Sequence, residues 1–202
     1  KQKFPVLMPI ARVAKARTAY DDATGTLRAT ADGQPDYEGS MADEAGRAAF
    51  AAWLTALLGD EVRGELKVIQ VPGHRFMDHP LGHVSIINLA SLRDLEQKIG
   101  RPLDPLRFRA NLYVEGWEPW AEMDWVGREL MLGFARAKVF KPIVRCAATH
   151  VDPETAERDM DVVKALFDNY GHMFCGIYVH VTDTGQITVG DACTAPQTEP
   201  VR

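Results

Sequence analysis

The sequence lacks the features that would place the chain in a membrane or on nucleic acid. No apolar run approaches the roughly 20 residues that a membrane-spanning helix needs. No block rich in lysine or arginine is present, and 28 acidic residues outnumber 23 basic ones, which gives a net charge of −5. The first segment is interrupted by Pro5 and Pro9 and is charged throughout, unlike a signal peptide. We therefore expect no membrane and no nucleic acid among the partners.

Cysteine is scarce, and common catalytic motifs are missing. The three cysteines, Cys146, Cys175 and Cys193, form no CxxC pair. An odd number in a chain of 202 residues favours reduced thiols and a cytoplasmic location. The sequence has neither the glycine-rich loops of nucleotide-binding proteins nor the GxSxG and HExxH motifs of hydrolases. Because the chain does not begin with Met, we expect that a preceding piece is missing.

Capping signals predict two helices. Ser40 with Asp43 three residues later resembles a capping box, and the apolar residues that follow recur at helical spacing as far as Gly59. The second helix is predicted between Asn88, which can cap its first turn, and Gly100, which can end it. Both segments are amphipathic, so we expect them to pack outside a core.

Strand-like runs outnumber helices. A turn-rich segment around Thr24 and Gly25 predicts a hairpin, and the most regular alternation of apolar and polar residues lies at 108–115. There is no βαβ rhythm, so we predict a mainly β fold with peripheral helices, an α+β chain with a barrel-like core. The other predicted strands, interrupted by one short helix at 161–168, are 66–71, 84–87, 129–132, 135–144, 174–181 and 187–189.

The segment VRCAATHVDPETAERD at residues 144–159 contains the most informative cysteine. Cys146 follows a predicted strand that carries Lys141 and Arg145, and two nearby cations favour a thiolate over a thiol. A thiolate is a soft metal ligand. The alternative is a structural cysteine, since free cysteine packs well as a small apolar residue and no second ligand lies at metal-site spacing.

A second candidate site is a polar row at Arg107, Arg109 and Asn111. On a strand, this spacing would direct all three side chains to one face, where two guanidinium groups and an amide suit a phosphate or a polar heterocycle. The alternative is the solvated face of a half-buried strand. His74, His79 and His83 with Asp78 form a weaker candidate for a metal site, because their spacing matches no common zinc pattern.

Three further segments, read with the cysteine segment, resemble the MOSC family, named for the C-terminal domain of molybdenum cofactor sulfurase. They are residues 82–117 with RFRxN, residues 120–133 with WxG, and residues 176–191 with GxIxVGD. The resemblance extends over about residues 66–191. It implies a MOSC-type β-barrel over residues 39–202, and residues 1–38 resemble the tail of a β-rich segment that precedes it in the family. Thr149-His150 departs from the Thr-Thr of many relatives.

The resemblance also implies a cofactor and its contacts. Cys146 corresponds to the cysteine that ligates molybdenum in members that reduce N-hydroxylated compounds, so it is the predicted catalytic residue and metal ligand. Arg109 and Asn111 correspond to residues that contact the pterin and phosphate of the molybdenum cofactor (molybdopterin). The remaining predicted cofactor-binding residues are Arg107, Arg145, Ser91 and Asp152.

Two functions are compatible with this resemblance. The first is an oxidoreductase that reduces N-hydroxylated or N-oxide substrates. Since no flavin, haem or iron–sulfur motif is present, its electrons would come from a partner protein. The second is a carrier of the cofactor, or a relay that accepts sulfur from a donor as a persulfide on Cys146. A third possibility is a barrel kept for protein contacts alone.

Overall fold

The computed structural model describes residues 4–73 and 82–196, which belong to two compact units. The first unit comprises Lys1–His74 and His150–Met160, and the second comprises Arg75–Thr149 and Asp161–Arg202. The predicted domain boundary between residues 38 and 39 rests on the family resemblance rather than on contacts, and it stays a prediction. By contacts, residues 38 and 39 lie together inside the first unit, in a strand.

The first unit contains a three-stranded antiparallel sheet, β1 (Arg17–Asp21), β2 (Thr26–Thr30) and β3 (Tyr37–Ser40). The predicted hairpin is confirmed: β1 pairs with β2, and the Asp21 carboxylate accepts hydrogen bonds from two backbone N–H groups of the turn. Helix α1 (Glu44–Leu58) follows. Its cap is Asp43, whose carboxylate accepts from the N–H of Gly46 at 2.6 Å, rather than Ser40.

The second unit is built on a six-stranded sheet in the order β5-β4-β8-β7-β6-β9. Every neighbouring pair is antiparallel except β4 and β5. The two outer strands approach each other, because the indole Nε1 of Trp117, just after β5, donates to the carbonyl of Cys193 in β9 at 3.0 Å. The predicted β-barrel-like core is therefore confirmed as a nearly closed sheet. Its strands are β4 (Val84–Asn88), β5 (Leu112–Val114), β6 (Glu129–Leu132), β7 (Ala135–Val144), β8 (Phe174–Asp183) and β9 (Cys193–Thr194).

Alternating side chains of these strands form the core of the second unit. Along β7, buried and exposed residues alternate as far as Val139, which is the period of a strand with one face inward. Burying an aliphatic or aromatic side chain stabilises a fold by about 1.5–3 kcal/mol, so this cluster is the main source of stability for the sheet. The cluster consists of Ile86, Val114, Trp117, Trp125, Leu130, Leu132, Ala137, Val139, Ile177 and Val179.

Two helices flank the sheet, and the first of them begins and ends at its predicted caps. Helix α2 (Leu89–Ile99) begins after Asn88, whose side-chain oxygen accepts from the N–H of Ala90, and ends at Gly100, which has φ +72°. Helix α3 (Val162–Tyr170) is capped in the same way by Asp161. The mainly β architecture with peripheral helices is thus confirmed, with its helices ended by the signals that the sequence carries.

Three predicted strands are wrong over all or part of their length. Residues 66–71 are not in a strand, and residues 187–189 lead into a turn in which the Asp191 carboxylate accepts from the N–H of Thr188. In the segment 108–115, only Leu112–Val114 forms a strand. The reason is local: Asp104 caps a 3₁₀ helix at Pro105–Phe108. Proline at the first helical position favours this conformation over the extended one.

Candidate functional site

Cys146 lies just beyond the end of β7, and its side chain is exposed. Its neighbour Arg145 is held by a backbone hydrogen bond from its N–H to the carbonyl of Met173, which precedes β8. On the other side, the carbonyl of Cys146 accepts from both the N–H and the hydroxyl of Thr149 at 3.0 Å. The thiol therefore sits on a loop that is anchored before and after it.

The side chain of Arg145 is buried and connects three parts of the second unit. Its Nε donates to the carbonyl of Cys175 at 2.8 Å, and its Nη1 donates to the carbonyl of Phe108 at 3.1 Å. Its guanidinium carbon also lies 5.2 Å from the centre of the Phe108 ring, within the range of a cation–π contact. Arg145 thus ties the cysteine loop to the 3₁₀ helix Pro105–Phe108.

The third nitrogen of the Arg145 guanidinium differs from the other two. This nitrogen, Nη2, is buried and has no hydrogen-bond partner among residues 4–73 and 82–196, and no carboxylate in this part of the chain pairs with the guanidinium. Burial lowers the pKa of Arg145 from its usual value, although that of an arginine is high enough to keep it charged. A buried cation without a counter-ion is costly, and an anionic ligand nearby would compensate it.

The space for this arginine depends on Gly176. A Cβ atom at this position would lie 3.2 Å from Nη2 of Arg145 and 2.4 Å from the carbonyl oxygen of Ile86. Gly176 also has φ +75°, a conformation that favours glycine. The first residues of β8 therefore leave a gap through which Arg145 passes.

The three residues of the predicted polar row do not share a strand face. Arg107 is buried at the end of the 3₁₀ helix, whereas Arg109 is exposed and has left-handed backbone angles of φ 49° and ψ 45°. Asn111 is exposed, but its side-chain oxygen accepts from the N–H and the hydroxyl of Ser85 at 2.9 and 2.8 Å. The row is therefore a turn with one buried cation, one exposed cation and one tethered amide.

Ser91 is fully buried in α2 rather than exposed to a ligand. Its hydroxyl donates to Glu122 and accepts from the N–H of Trp120, both at 2.8 Å. The other oxygen of Glu122 accepts from Nδ2 of Asn88 at 2.8 Å, and burial raises the pKa of this carboxyl. Glu122 is not among the site residues predicted from the sequence. Its signal in the sequence is an acidic residue a few positions before Trp125, which is buried.

The other predicted residues have ordinary structural surroundings. Asp152 belongs to the first unit, where its carboxylate accepts from the N–H groups of Glu154 and Thr155, in keeping with its predicted turn. Lys141 is exposed, and its amine lies 5.4 Å from the centre of the Phe140 ring. Of the cysteines, Cys175 is fully buried and burial raises its pKa to about 12, while the partly buried Cys193 also has a raised pKa.

The histidine-based metal site is not supported by the described residues. His83 is buried and its ring stacks on Phe140 at 4.3 Å, while His74, Asp78 and His79 lie outside the described residues. In the part of the chain that the structure covers, no three histidine, cysteine or acidic residues come together as a metal-binding group. Within the same ranges, no helix has the length and apolar character that crossing a membrane requires.

Comparison with known proteins places the chain in a family. The model of the MOSC domain matches residues 73–194. A molybdenum cofactor sulfurase of Anopheles gambiae is 33% identical over 106 residues, 46% of this chain and 14% of that protein. The mitochondrial amidoxime-reducing component 1 of Mus musculus is 30% identical over 118 residues, 52% of this chain and 34% of that protein. The chain therefore spans about a seventh of the first relative and about a third of the second.

A solved structure gives a weaker match. The crystal structure of YiiM from Geobacillus stearothermophilus aligns with a TM-score of 0.43 and 21% identity, covering 55% of this chain and 52% of that one. The family model, by contrast, covers more than half of the chain, including β4–β8, Arg145 and Cys146. The protein therefore belongs to the MOSC domain family.

Proposed function

We propose that this chain binds the molybdenum cofactor at the end of β7 and acts as an oxidoreductase on N-hydroxylated or N-oxide compounds. The observation that supports the proposal is the exposed thiol of Cys146 directly after Arg145, whose guanidinium is buried and has no counter-ion among the described residues. A thiolate is a suitable ligand for a soft or high-valent metal, and a fixed cation beside it favours an anionic group at the same place.

The residues at this site fit an anionic pterin cofactor. The chain as a whole carries a net charge of −5, yet Arg145 and the exposed Arg109 flank one carbonyl, that of Phe108. A phosphate accepts paired hydrogen bonds from guanidinium groups, which makes Arg109 the candidate for direct contact. Because the oxygen of Asn111 already accepts two hydrogen bonds from Ser85, its amide nitrogen is the group left to donate to a ligand.

The division of labour between protein and cofactor follows from this arrangement. When bound, the cofactor supplies the two-electron chemistry that removes oxygen from the substrate. Cys146 would hold the metal, Arg109 and Asn111 would orient the pterin end, and the anchored loop would keep the thiol in place. We expect electrons from a partner protein, because the sequence has no flavin, haem or iron–sulfur motif. A cytoplasmic location stays a prediction.

A second candidate function is a cofactor carrier or a sulfur relay. The observation that favours it is the exposure of Cys146, which would let its thiolate attack the outer sulfur of a donor protein's persulfide, so that Cys146 becomes the persulfide and the donor is left as a thiol. A relative named molybdenum cofactor sulfurase is consistent with this alternative. The relay would need a donor but no electron partner.

The test begins with protein purified from a host that makes the cofactor. We expect molybdenum and released pterin in the native protein, and loss of molybdenum in Cys146→Ser, because oxygen is a poorer ligand for this metal than thiolate. Cys193→Ser is the matched control and should retain the metal, since Cys193 lies in β9. Native protein without molybdenum under these conditions would contradict the proposal.

Turnover separates the two candidate functions. The molybdenum-containing protein is supplied with a chemically reduced electron donor and an amidoxime or an N-oxide. Reduction of the substrate that Cys146→Ser abolishes supports the oxidoreductase. Absence of turnover, together with a persulfide on Cys146 after incubation with a sulfur donor, supports the relay.

A further inference from the structure

Arg145 touches both segments that contribute exposed groups to the proposed site. Its backbone N–H is fixed to Met173, and Cys146 is the next residue in the chain. Its Nη1 is fixed to the carbonyl of Phe108, and Arg109 is the residue that follows. The buried side chain of Arg145 therefore joins the residue before Cys146 to the residue before Arg109.

The backbone of Arg109 needs support. Left-handed angles are unfavourable for a residue with a Cβ atom, at a cost of about 1 kcal/mol or more, and Arg109 is one of three such residues in the described chain. The hydrogen bond from Arg145 fixes the peptide group that precedes Arg109, and the bonds between Asn111 and Ser85 fix the chain two residues later. The turn that exposes Arg109 is thus held at both ends.

Tyr113 lies beside the turn that contains Arg109. Its hydroxyl accepts a hydrogen bond from the N–H of Ala110 at 3.1 Å, which places the phenol beside the same turn. Burial raises the pKa of Tyr113, whereas the positive charges of Arg145 and Arg109 favour the phenolate and lower this pKa. Both cations therefore lie within electrostatic range of one side chain.

We infer that Arg145 is a positioning residue that holds Arg109 next to Cys146, so that the cation and the thiol face the same anionic ligand. This inference deepens the proposed function, on which the identity of the ligand rests. The placement of the two groups is a property of the chain and can be measured without a cofactor. Lysine cannot replace this arginine, because it has no planar fork to reach two carbonyl groups while lying next to Gly176.

The experiment compares two alkylating reagents on the apo protein. Iodoacetate is an anion and iodoacetamide is neutral, but both react with the same thiolate, so the ratio of their rates reports the electrostatic field at the sulfur. Cys193→Ser serves as the background, which leaves Cys146 as the reactive thiol because Cys175 is fully buried. Arg128→Ala is the matched control, since Arg128 is exposed and bonds through its backbone to Val139 in the middle of β7.

The expected results distinguish positioning from a purely structural role. Arg109→Ala should lower the ratio about two- to threefold, the effect of one unit charge roughly 7 Å away in water. Arg145→Lys should also lower the ratio, although lysine keeps the positive charge. The double variant, Arg109→Ala with Arg145→Lys, should lower the ratio no further than Arg109→Ala alone. Arg128→Ala should leave the ratio unchanged. A purely structural role for Arg145 predicts lower stability with a native ratio.

Several outcomes would overturn the inference. An unchanged ratio in Arg109→Ala would mean that the cation is not next to the thiol. An additive fall in the double variant would mean that Arg145 does not act through Arg109. If Arg145→Lys does not fold, the variant Arg109→Cys, in which Arg145 is intact, is treated with a short reagent that joins two thiols. A crosslink between position 109 and Cys146 supports the inferred placement of Arg109 next to Cys146, and the absence of a crosslink contradicts it. No cofactor takes part in this test. The inference about Arg145 can therefore fail while molybdenum binding is observed, and it can hold while molybdenum binding is not observed.

Discussion

Glu122 offers a sharp test of the interior of the second unit. Its carboxyl group is fully buried and accepts one hydrogen bond on each oxygen, from Asn88 and Ser91. Burial raises its pKa above the usual 4.5, so the folded protein keeps this proton at a pH where the unfolded chain has lost it. The stability that the protonated group contributes is therefore complete below about pH 4.5 and is lost as the pH rises through the folded-state value.

The replacement Glu122→Gln removes this titration and keeps the shape of the side chain. Its oxygen can still accept from Asn88, whereas its amide now donates to the hydroxyl of Ser91, whose own proton is left without an acceptor. That buried hydroxyl costs about 1 kcal/mol or more, so the variant should be less stable than the native protein at about pH 4.5. As the pH rises, the native protein should lose up to about 1.4 kcal/mol per unit relative to the variant.

Urea unfolding between about pH 4.5 and pH 8 measures the effect, with tryptophan fluorescence as the signal. Three of the four tryptophans, Trp117, Trp120 and Trp125, lie in the second unit, so most of the signal reports on the region that contains Glu122, while Trp53 reports on the first unit. The two free energies of unfolding should converge as the pH rises. A constant difference across this range would refute the reasoning, because it would mean that the carboxyl group has the same pKa in the folded and unfolded chains.

Two further predictions concern hydrogen-bonded and buried groups. Asp94 accepts hydrogen bonds from Tyr170 and Trp120, which lower its pKa, so its contribution to stability should be present at neutral pH and lost below about pH 4. Urea unfolding should therefore show that Asp94→Asn costs about 1–3 kcal/mol at pH 7 and little in acid. An equal loss at both pH values would contradict this. Cys175→Ser should destabilise the protein by about 1–3 kcal/mol, because it buries a hydroxyl group in place of a thiol. Cys146→Ser should change the melting temperature little, because Cys146 is exposed. A larger loss of stability in Cys146→Ser than in Cys175→Ser would be inconsistent with the structure.

Local signals in the sequence predicted many of the elements correctly. Helix α2 lies between Asn88 and Gly100 as predicted, since capping depends on the hydrogen bonds and backbone angles of a few adjacent residues. Strands β6 and β7 also have their predicted bounds, because alternation of apolar and polar residues is a direct consequence of strand geometry. Such features need no information from distant parts of the chain.

Alternation was misleading where a stronger local signal competed with it. The segment 108–115 alternates like a strand, but the preceding Asp104 and Pro105 start a 3₁₀ helix that extends to Phe108. The left-handed turn at Arg109 then separates that helix from β5. An aspartate followed by proline is a recognisable start signal for a helix, and here it outweighs the alternation and sets the boundary.

The sequence by itself determined the mainly β architecture, the caps of α2, the family resemblance and the choice of Cys146. Only the tertiary structure decided that the side chain of Arg145 reaches Phe108 past Gly176, and that Ser91 lies inside the protein with Glu122. The physical reason is that these contacts join residues about 30 or more positions apart. Their geometry depends on which strands become neighbours and in which register, and a one-residue shift of register reverses the face to which every side chain points.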